Sequence, residues 1–358
     1  MMGVVAEKKM MLQSKGVRMT WELEKDLAKK FAGAESDYLS FFMDSTKTPV
    51  GVLNGLYTDG SPFEVKEVED GYAIFEDEEL FADITFIERP SFFDSTTSSG
   101  VKMGKMCKLV APGFPIIYMS KGCVYWGEKQ CKFCVVGYID TKDEKEPMET
   151  AEVVDAGVRE GAIKSHVALT SGALARDRGS DLMASAAKAI KEKVEIPISA
   201  NVEPPRDLDS IDKLKEAGAD SIYINLEVYD EAKRRDIMPG KSGFGIDYYD
   251  GAFERCLEVF EENQVASVML AGLESDTTCL EGVEHLACLG VVPVVIPFYP
   301  TAHSKLNGMC PPSVDRMRKL YTEAADIIRE YGLNPFATKA GFIKGGAIFA
   351  LKEVMKDY

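Results

Sequence analysis

The sequence predicts an α/β protein: a partial, TIM-like barrel of six βα units, (βα)6, preceded by an α+β accessory region. Three observations predict it. From residue 114 onward, apolar runs of strand length alternate with stretches whose apolar residues recur every three or four positions, as in βα units built on a parallel sheet. Between residues 38 and 90 the pattern is instead one of short strands separated by turn residues. Three thiols, Cys123, Cys131 and Cys134, follow directly on the first apolar run of the repeating part.

Taken in order, residues 1–19 carry no clear period and read as a loose or docking segment. A helix is expected from Thr20, because Leu23, Leu27 and Phe31 share one face at helical spacing. Strands follow at 50–57, 63–68 and 72–75, the last two joined by Glu69-Asp70-Gly71, where glycine accepts the positive φ of a tight turn. Residues 91–108, a mixture of Ser, Thr, Gly and Lys, read as a link. The expected division is therefore an accessory region and linker over 1–108, a barrel over 109–333, and a tail over 334–358 that packs on the barrel.

Within the barrel, strands are expected at 115–120, 166–170, 196–202, 221–226, 266–271 and 291–296. Helices are expected at 150–160, at 181–193, around Ile211, Leu214 and Ala217, at 230–237, around Phe253, Leu257 and Phe260, and at 313–331. Right-handed βα crossovers place such helices outside and curl the parallel sheet.

Composition bounds the partners. The 42 basic and 58 acidic residues leave a net charge of −16, which argues against a nucleic-acid backbone or an anionic membrane as the main partner. No apolar stretch approaches the ~18 residues that a bilayer span needs, and Glu7, Lys8 and Lys9 interrupt the place of a signal-peptide core. The expectation is a cytoplasmic protein. Its eight cysteines then read as reduced thiols and metal ligands rather than a disulfide framework.

The spacing Cys-x7-Cys-x2-Cys over Cys123, Cys131 and Cys134, on a loop after a buried strand, is a metal site. Three thiolates leave a four-iron cluster with one iron lacking a protein ligand, whereas a closed zinc site takes four ligands. Three readings stay open on the residues alone: an iron–sulfur cluster, a zinc loop completed by Cys107 or Cys310, or thiols that simply pack. In parallel barrels the reactive groups lie on loops at the carboxyl ends of strands. There the sequence offers Thr170-Ser171-Gly172, then Asn201 and Glu203, then Glu227 followed by Arg234, Arg235 and Lys241, then Gly272, and His303 on the sixth loop.

A first cysteine followed by the pair Cys131-Lys132-Phe133-Cys134, after the first strand of a βα array, resembles the radical S-adenosyl-L-methionine (SAM) superfamily. The usual spacing there is Cys-x3-Cys-x2-Cys, so the longer first gap is a departure. The order of the strand-end turns, including Ala271-Gly272-Leu273-Glu274 and the proline-rich loop from Pro297 to Pro312, resembles the biotin-synthase-like branch. The resemblance implies a 4Fe-4S cluster on Cys123, Cys131 and Cys134, with SAM on its open iron and Phe133 near the adenine. It implies SAM contacts from Thr170, Ser171, Gly172, Asn201, Glu203, Glu227, Arg235 and Gly272. The activity implied is cleavage of SAM to a 5'-deoxyadenosyl radical that takes a hydrogen atom from a small metabolite or cofactor precursor, leading to rearrangement, cleavage or carbon-skeleton transfer. Sulfur insertion and methyl transfer are the alternatives within the family. The implied partners are a small-molecule substrate and an external electron donor such as ferredoxin or flavodoxin. Outside the family stand a zinc-stabilised binding module without turnover, and a barrel enzyme of acid–base chemistry on Glu203, Glu227 and His303.

Overall fold

The computed structural model describes residues 3–35, 37–43, 46–55, 57–111 and 113–356. The segment expected to be loose or docking is a helix, α1 (Val4–Lys15), and it docks. Its period is hidden because Lys9, Gln13 and Ser14 are buried beside Ala6, Met10 and Leu12. Buried polar groups need partners, and these come from the far end of the chain. Lys9 Nζ bonds Glu353 at 3.1 Å, and Gln13 Nε2 donates to the Ala347 carbonyl at 2.9 Å. Helix α2 (Trp21–Lys30) starts where the Thr20 hydroxyl accepts from Leu23 N–H, as a capping threonine does.

Seven strands follow: β1 (Phe31–Ala32), β2 (Ala34–Glu35), β3 (Tyr38–Met43), β4 (Thr48–Leu53), β5 (Phe63–Val68), β6 (Gly71–Glu76) and β7 (Glu79–Glu88). They form one antiparallel sheet in the order β2-β3-β7-β6-β5, with β1 on β7 and β4 on β3. Leu56, in the strand expected at 50–57, lies outside the described residues. The β5–β6 hairpin pairs Val68 with Gly71, so Glu69 and Asp70 make the turn and Gly71, at φ 137°, opens the next strand. Phe41, Phe63, Val65, Ile74 and Phe86 bury one face of the sheet against Leu12 and Leu27.

The expected link contains a strand of its own. β8 (Lys108–Ala111) runs antiparallel to β9 (Phe114–Ser120) and borders the second sheet. From β9 the units continue through α3 (Pro147–Glu160), β10 (Val167–Ser171), α4 (Arg178–Lys191), β11 (Ile198–Val202), α5 (Asp209–Glu216) and β12 (Ser221–Ile224). They end with α6 (Glu231–Ile237), α7 (Ile246–Val259), β13 (Val265–Ala271), α8 (Asp276–Leu289), β14 (Val292–Pro297) and α9 (Val314–Glu330). The sheet order is β8-β9-β10-β11-β12-β13-β14, and β9 to β14 are all parallel neighbours. This is the six-unit partial barrel with one antiparallel strand added at its edge. Helix α8 is an element the sequence reading lacked.

The tail carries two short helices, α10 (Phe342–Gly345) and α11 (Leu351–Lys356), and crosses the end where the strands begin. Tyr223 Oη donates to the Ala340 carbonyl at 3.0 Å, and Gln264 Nε2 to that of Ala337 at 3.0 Å. His166, fully buried, stacks on Phe114 with ring centroids 4.0 Å apart, and its Nε2 lies 3.0 Å from the Gly341 carbonyl. Among the described residues Nδ1 has no partner, and burial pushes the imidazole down to about 3 from its ordinary 6.5.

The folded site therefore holds neutral histidine while the unfolded chain takes up a proton near pH 6.5. Its contribution is complete above that pH and is lost as pH falls towards 3. His166→Gln keeps a donor for Gly341 and does not titrate. It is expected to recover about 2 kcal/mol of the stability lost between neutral pH and roughly pH 5, read from urea midpoints at the two pH values.

Candidate active site at the cysteine loop

The loop after β9 is held by backbone bonds to three different strand-end segments. Val124 N–H donates to Ala173 O at 2.8 Å beyond β10, Lys132 N–H to Ile237 O at 2.8 Å at the end of α6, and Lys305 N–H to Lys132 O at 2.8 Å from the loop after β14. Within the loop, Cys134 N–H bonds Cys131 O at 2.9 Å. This bracing brings Cys123, Cys131 and Cys134 onto one cavity of about 210 Å³ at the carboxyl ends of the strands. Among the described residues, no three His, Cys, Asp or Glu side chains converge closely enough to hold a single metal ion. The three thiols surround a space rather than a point.

Polar groups from three strand ends line the same cavity. Thr170, Ser171 and Gly172 come from the end of β10, Asn201 and Glu203 from the end of β11, and Asn225, Glu227 and Lys241 from the segment after β12. Gly172 is required by close approach: a Cβ there would collide with the Gly122 carbonyl and touch Cys123 Cβ. Phe133 also lines the cavity and packs on the cluster of Val228, Ile237 and Leu273.

Lys241 carries the site's positive charge. Its side chain is buried, and Nζ donates to Glu227 Oε2 at 2.8 Å and to the Asn225 carbonyl at 2.7 Å. Burial opposes that charge, but Glu227 and the other anionic groups around it outweigh burial and hold the ammonium well above its usual range. Glu203 differs: burial raises its carboxyl, with Lys241 opposing and Glu227 adding to the rise. Burial likewise raises the Cys131 thiol, and pushes that of Cys134 up to about 11.

Glu227 has φ 68°, a left-handed conformation that costs a non-glycine residue about 1–2 kcal/mol. Two bonds to β13 impose it, Glu227 N–H to Val268 O at 2.7 Å and Leu270 N–H to Glu227 O at 2.8 Å. Asn201 Oδ1 is buried and has no hydrogen-bond partner among the described residues. An orphaned acceptor, a buried ammonium and two carboxyl groups in one cavity suit a ligand bearing both charge signs.

Two of the residues named from sequence lie elsewhere. Arg235 projects from α6 with its side chain 60% exposed and pairs with Glu231 four residues before it. Gly272, at φ 104°, makes the turn after β13, where a Cβ would strike Pro312. Arg234 is buried, donates to the Phe244 carbonyl at 2.9 Å and lies over the Tyr249 ring. His303 is exposed and stacks on Tyr138, Cys310 is exposed, and Cys107 is buried in a different cavity, beside Lys105 and Lys108. Of the three cations offered after the fourth strand, Lys241 lines the cavity, which also uses Tyr118, Tyr125, Gln130 and Asn225. Arg235→Ala is expected to change SAM affinity by less than about twofold, since Arg235 does not line the cavity and its exposed pair with Glu231 has no bearing on it; equilibrium dialysis with labelled SAM checks it.

The radical SAM superfamily matches residues 117–279, from within β9 to the start of α8. A curated relative, bacteriochlorophyllide c C-7(1)-hydroxylase of Chlorobaculum limnaeum, is 32% identical over 139 residues, 38% of this chain and 35% of the relative. The chain thus spans about a third of the length of that relative. Among solved structures, the FeFe-hydrogenase maturase HydG from Carboxydothermus hydrogenoformans aligns at a TM-score of 0.48 and 19% identity, over 61% of this chain and 52% of that one. Methylornithine synthase aligns at 0.45 and 20%, over 61% and 69%. The family implies a 4Fe-4S cluster and SAM, and a cavity lined by three thiols, an ammonium and two carboxyl groups fits both. Residues 117–279 carry a radical SAM superfamily domain.

Proposed function

We propose that this protein is a radical SAM enzyme acting by hydrogen-atom abstraction on a small metabolite or cofactor precursor. The observation that carries the reading is the convergence of Cys123, Cys131 and Cys134 with a buried Lys241–Glu227 pair on one cavity at the carboxyl ends of parallel strands. When bound, the cluster and SAM would supply reductive cleavage to a 5'-deoxyadenosyl radical. The chain's own residues do the rest. The three thiolates hold the metal centre, and Phe133 offers an aromatic face on the cluster side. Lys241 faces the carboxylate of the methionine end of SAM, while Glu227, Glu203 and the Asn201 carbonyl face its ammonium. Thr170, Ser171 and Gly172 supply the narrow wall against which that end lies.

The reaction outcome in this reading is rearrangement, cleavage or carbon-skeleton transfer, which needs one cluster. Each remaining cysteine, Cys107, Cys256, Cys279, Cys288 and Cys310, stands outside the cavity. That the curated relative is a bacteriochlorophyllide hydroxylase supports a cofactor-related substrate. The reading includes an external electron donor of the ferredoxin or flavodoxin kind. It divides the chain into an accessory region over 1–108, the barrel over 109–333 and a closing tail over 334–358. The test is anaerobic: reconstitute with iron and sulfide, reduce, add SAM, and quantify 5'-deoxyadenosine and methionine. Their formation supports the reading; a colourless, zinc-loaded protein that forms neither overturns it.

A further inference from the structure

A second cavity, of about 290 Å³, is lined from the N-terminal sheet, the edge of the barrel and the tail. The alternation of side chains along β9 sets one wall. Ile117 and Met119 turn into the core shared with α3 and α4, so Phe114, Ile116 and Tyr118 turn to the other face, where they line the cavity. Leu53 of β4, Leu109 of β8 and Ile348 of the tail close it. Tyr118 also lines the cysteine cavity, as does its register partner Thr170. Thr301 comes from the loop after β14, which braces the cysteine loop through Lys305.

The polar side chains decide what the cavity can hold. Among the described residues, Tyr38, Lys108, Tyr118 and Thr301 supply them, and no acidic side chain lines it. Tyr38 Oη donates to the Val110 carbonyl at 3.3 Å, and Lys108 and Tyr118 each have an interaction within the protein. The Thr301 hydroxyl differs: it is buried and, among the described residues, has no hydrogen-bond partner. A charged group brought in here loses its hydration and meets no free counter-charge, whereas a neutral oxygen satisfies Thr301. A packed interior leaves few voids larger than a water molecule, and this volume lies near the lower end of small-molecule sites, ~300–1,000 Å³.

We propose that this cavity seats the substrate, and that the substrate is an uncharged, largely apolar molecule with an oxygen that accepts from the Thr301 hydroxyl. Its apolar body lies along Phe114 and Ile116, against Leu53 and Ile348. Tyr118 is on the wall of both cavities, so the end to be attacked is the end at Tyr118. The N-terminal sheet then serves the reaction by completing the seat, through Leu53 and through the Tyr38 and Ser40 hydroxyls that fasten it to the Val110 carbonyl. The inference rests on the radical SAM reading for calling the occupant the substrate; the seat itself is tested without turnover.

The probe is Prodan, a neutral naphthyl ketone whose fluorescence shifts to the blue on leaving water, titrated into the full-length, anaerobically reconstituted protein. The naphthoic acid of the same ring system is the charged control. Prodan is expected to bind at a single site, at least tenfold more tightly than the acid. Thr301→Val removes the hydroxyl with little change of shape. It is expected to melt no lower than the unaltered protein, because no bond within the protein is lost, yet to bind Prodan about three- to tenfold more weakly. Ile348→Trp, which fills the cavity, is expected to weaken Prodan tenfold or more; Thr301→Val keeps the test decisive should the tryptophan variant fail to fold. Saturating SAM is expected to leave Prodan affinity within about twofold, since SAM occupies the cysteine cavity. Binding of the acid as tight as that of the ketone overturns the uncharged assignment, and normal Prodan binding by Thr301→Val overturns the part given to its hydroxyl. Competition with SAM, or undiminished binding by a folded Ile348→Trp, overturns the seat. Formation of 5'-deoxyadenosine without Prodan binding sinks the seat and leaves the proposed chemistry standing. The expected binding pattern without 5'-deoxyadenosine does the opposite.

Discussion

Cys131→Ala is expected to give a folded, colourless protein in which 5'-deoxyadenosine formation falls to background. Three thiols line the cavity, and two cannot hold a cluster whose remaining iron sites need protein ligands. The fold should survive, because the loop is braced by backbone bonds at Val124, Lys132 and Lys305 rather than by the thiols themselves. Loss of one partly buried sulfur then costs on the order of 1 kcal/mol. Visible absorption and iron analysis of the reconstituted variant, beside a thermal melt, read the two halves separately. Turnover that persists in Cys131→Ala would transfer the chemistry to Glu203 and Glu227 as an acid–base pair. Equal, iron-free zinc content in the unaltered protein would make the loop structural.

The barrel was legible because its strands are buried on both faces and so read as unbroken apolar runs, Val292–Pro297 being the plainest. Their ends, and therefore the loops that carry the cavity, followed within a few residues. Helix α1 was not legible, for a physical reason: its buried face carries Lys9 and Gln13, whose partners Glu353 and Ala347 lie more than three hundred residues away. Helix α8 did leave signals, a Ser275 cap bonding Thr278 N–H and Gly290 at φ 96°, which the neighbouring strand patterns obscured.

The sequence offered Arg234, Arg235 and Lys241 as cations after the fourth strand, and periodicity places none of them. Only the path of the chain after α6, which doubles back so that Lys241 Nζ reaches the Asn225 carbonyl, puts the ammonium inside and leaves Arg235 paired with Glu231 in solvent. The apolar cavity among β4, β8 and the tail could not be read at all, since Leu53, Leu109 and Ile348 come together through the docking of the N-terminal sheet on the barrel edge.

Lys241→Met is expected to have the second-largest effect, and its two consequences can be separated. With the ammonium gone, the Glu227 carboxylate stays largely buried without its cation, held there by its backbone bonds to β13. Breaking a buried pair from one side costs about 3–5 kcal/mol, so the urea midpoint should fall sharply. Adding Glu227→Gln removes the stranded charge. The double variant should recover most of the stability, because a buried pair replaced on both sides is often close to neutral. SAM affinity should not recover with it. If Lys241 and Glu227 meet the two charges of the methionine end, the double variant binds SAM at least tenfold more weakly than the unaltered protein while melting near it. Equilibrium dialysis with the reconstituted proteins decides the matter. A double variant that is stable and binds SAM normally would make the pair a clamp between β12 and the segment after α6, and would move the recognition of SAM to Asn201 and Glu203.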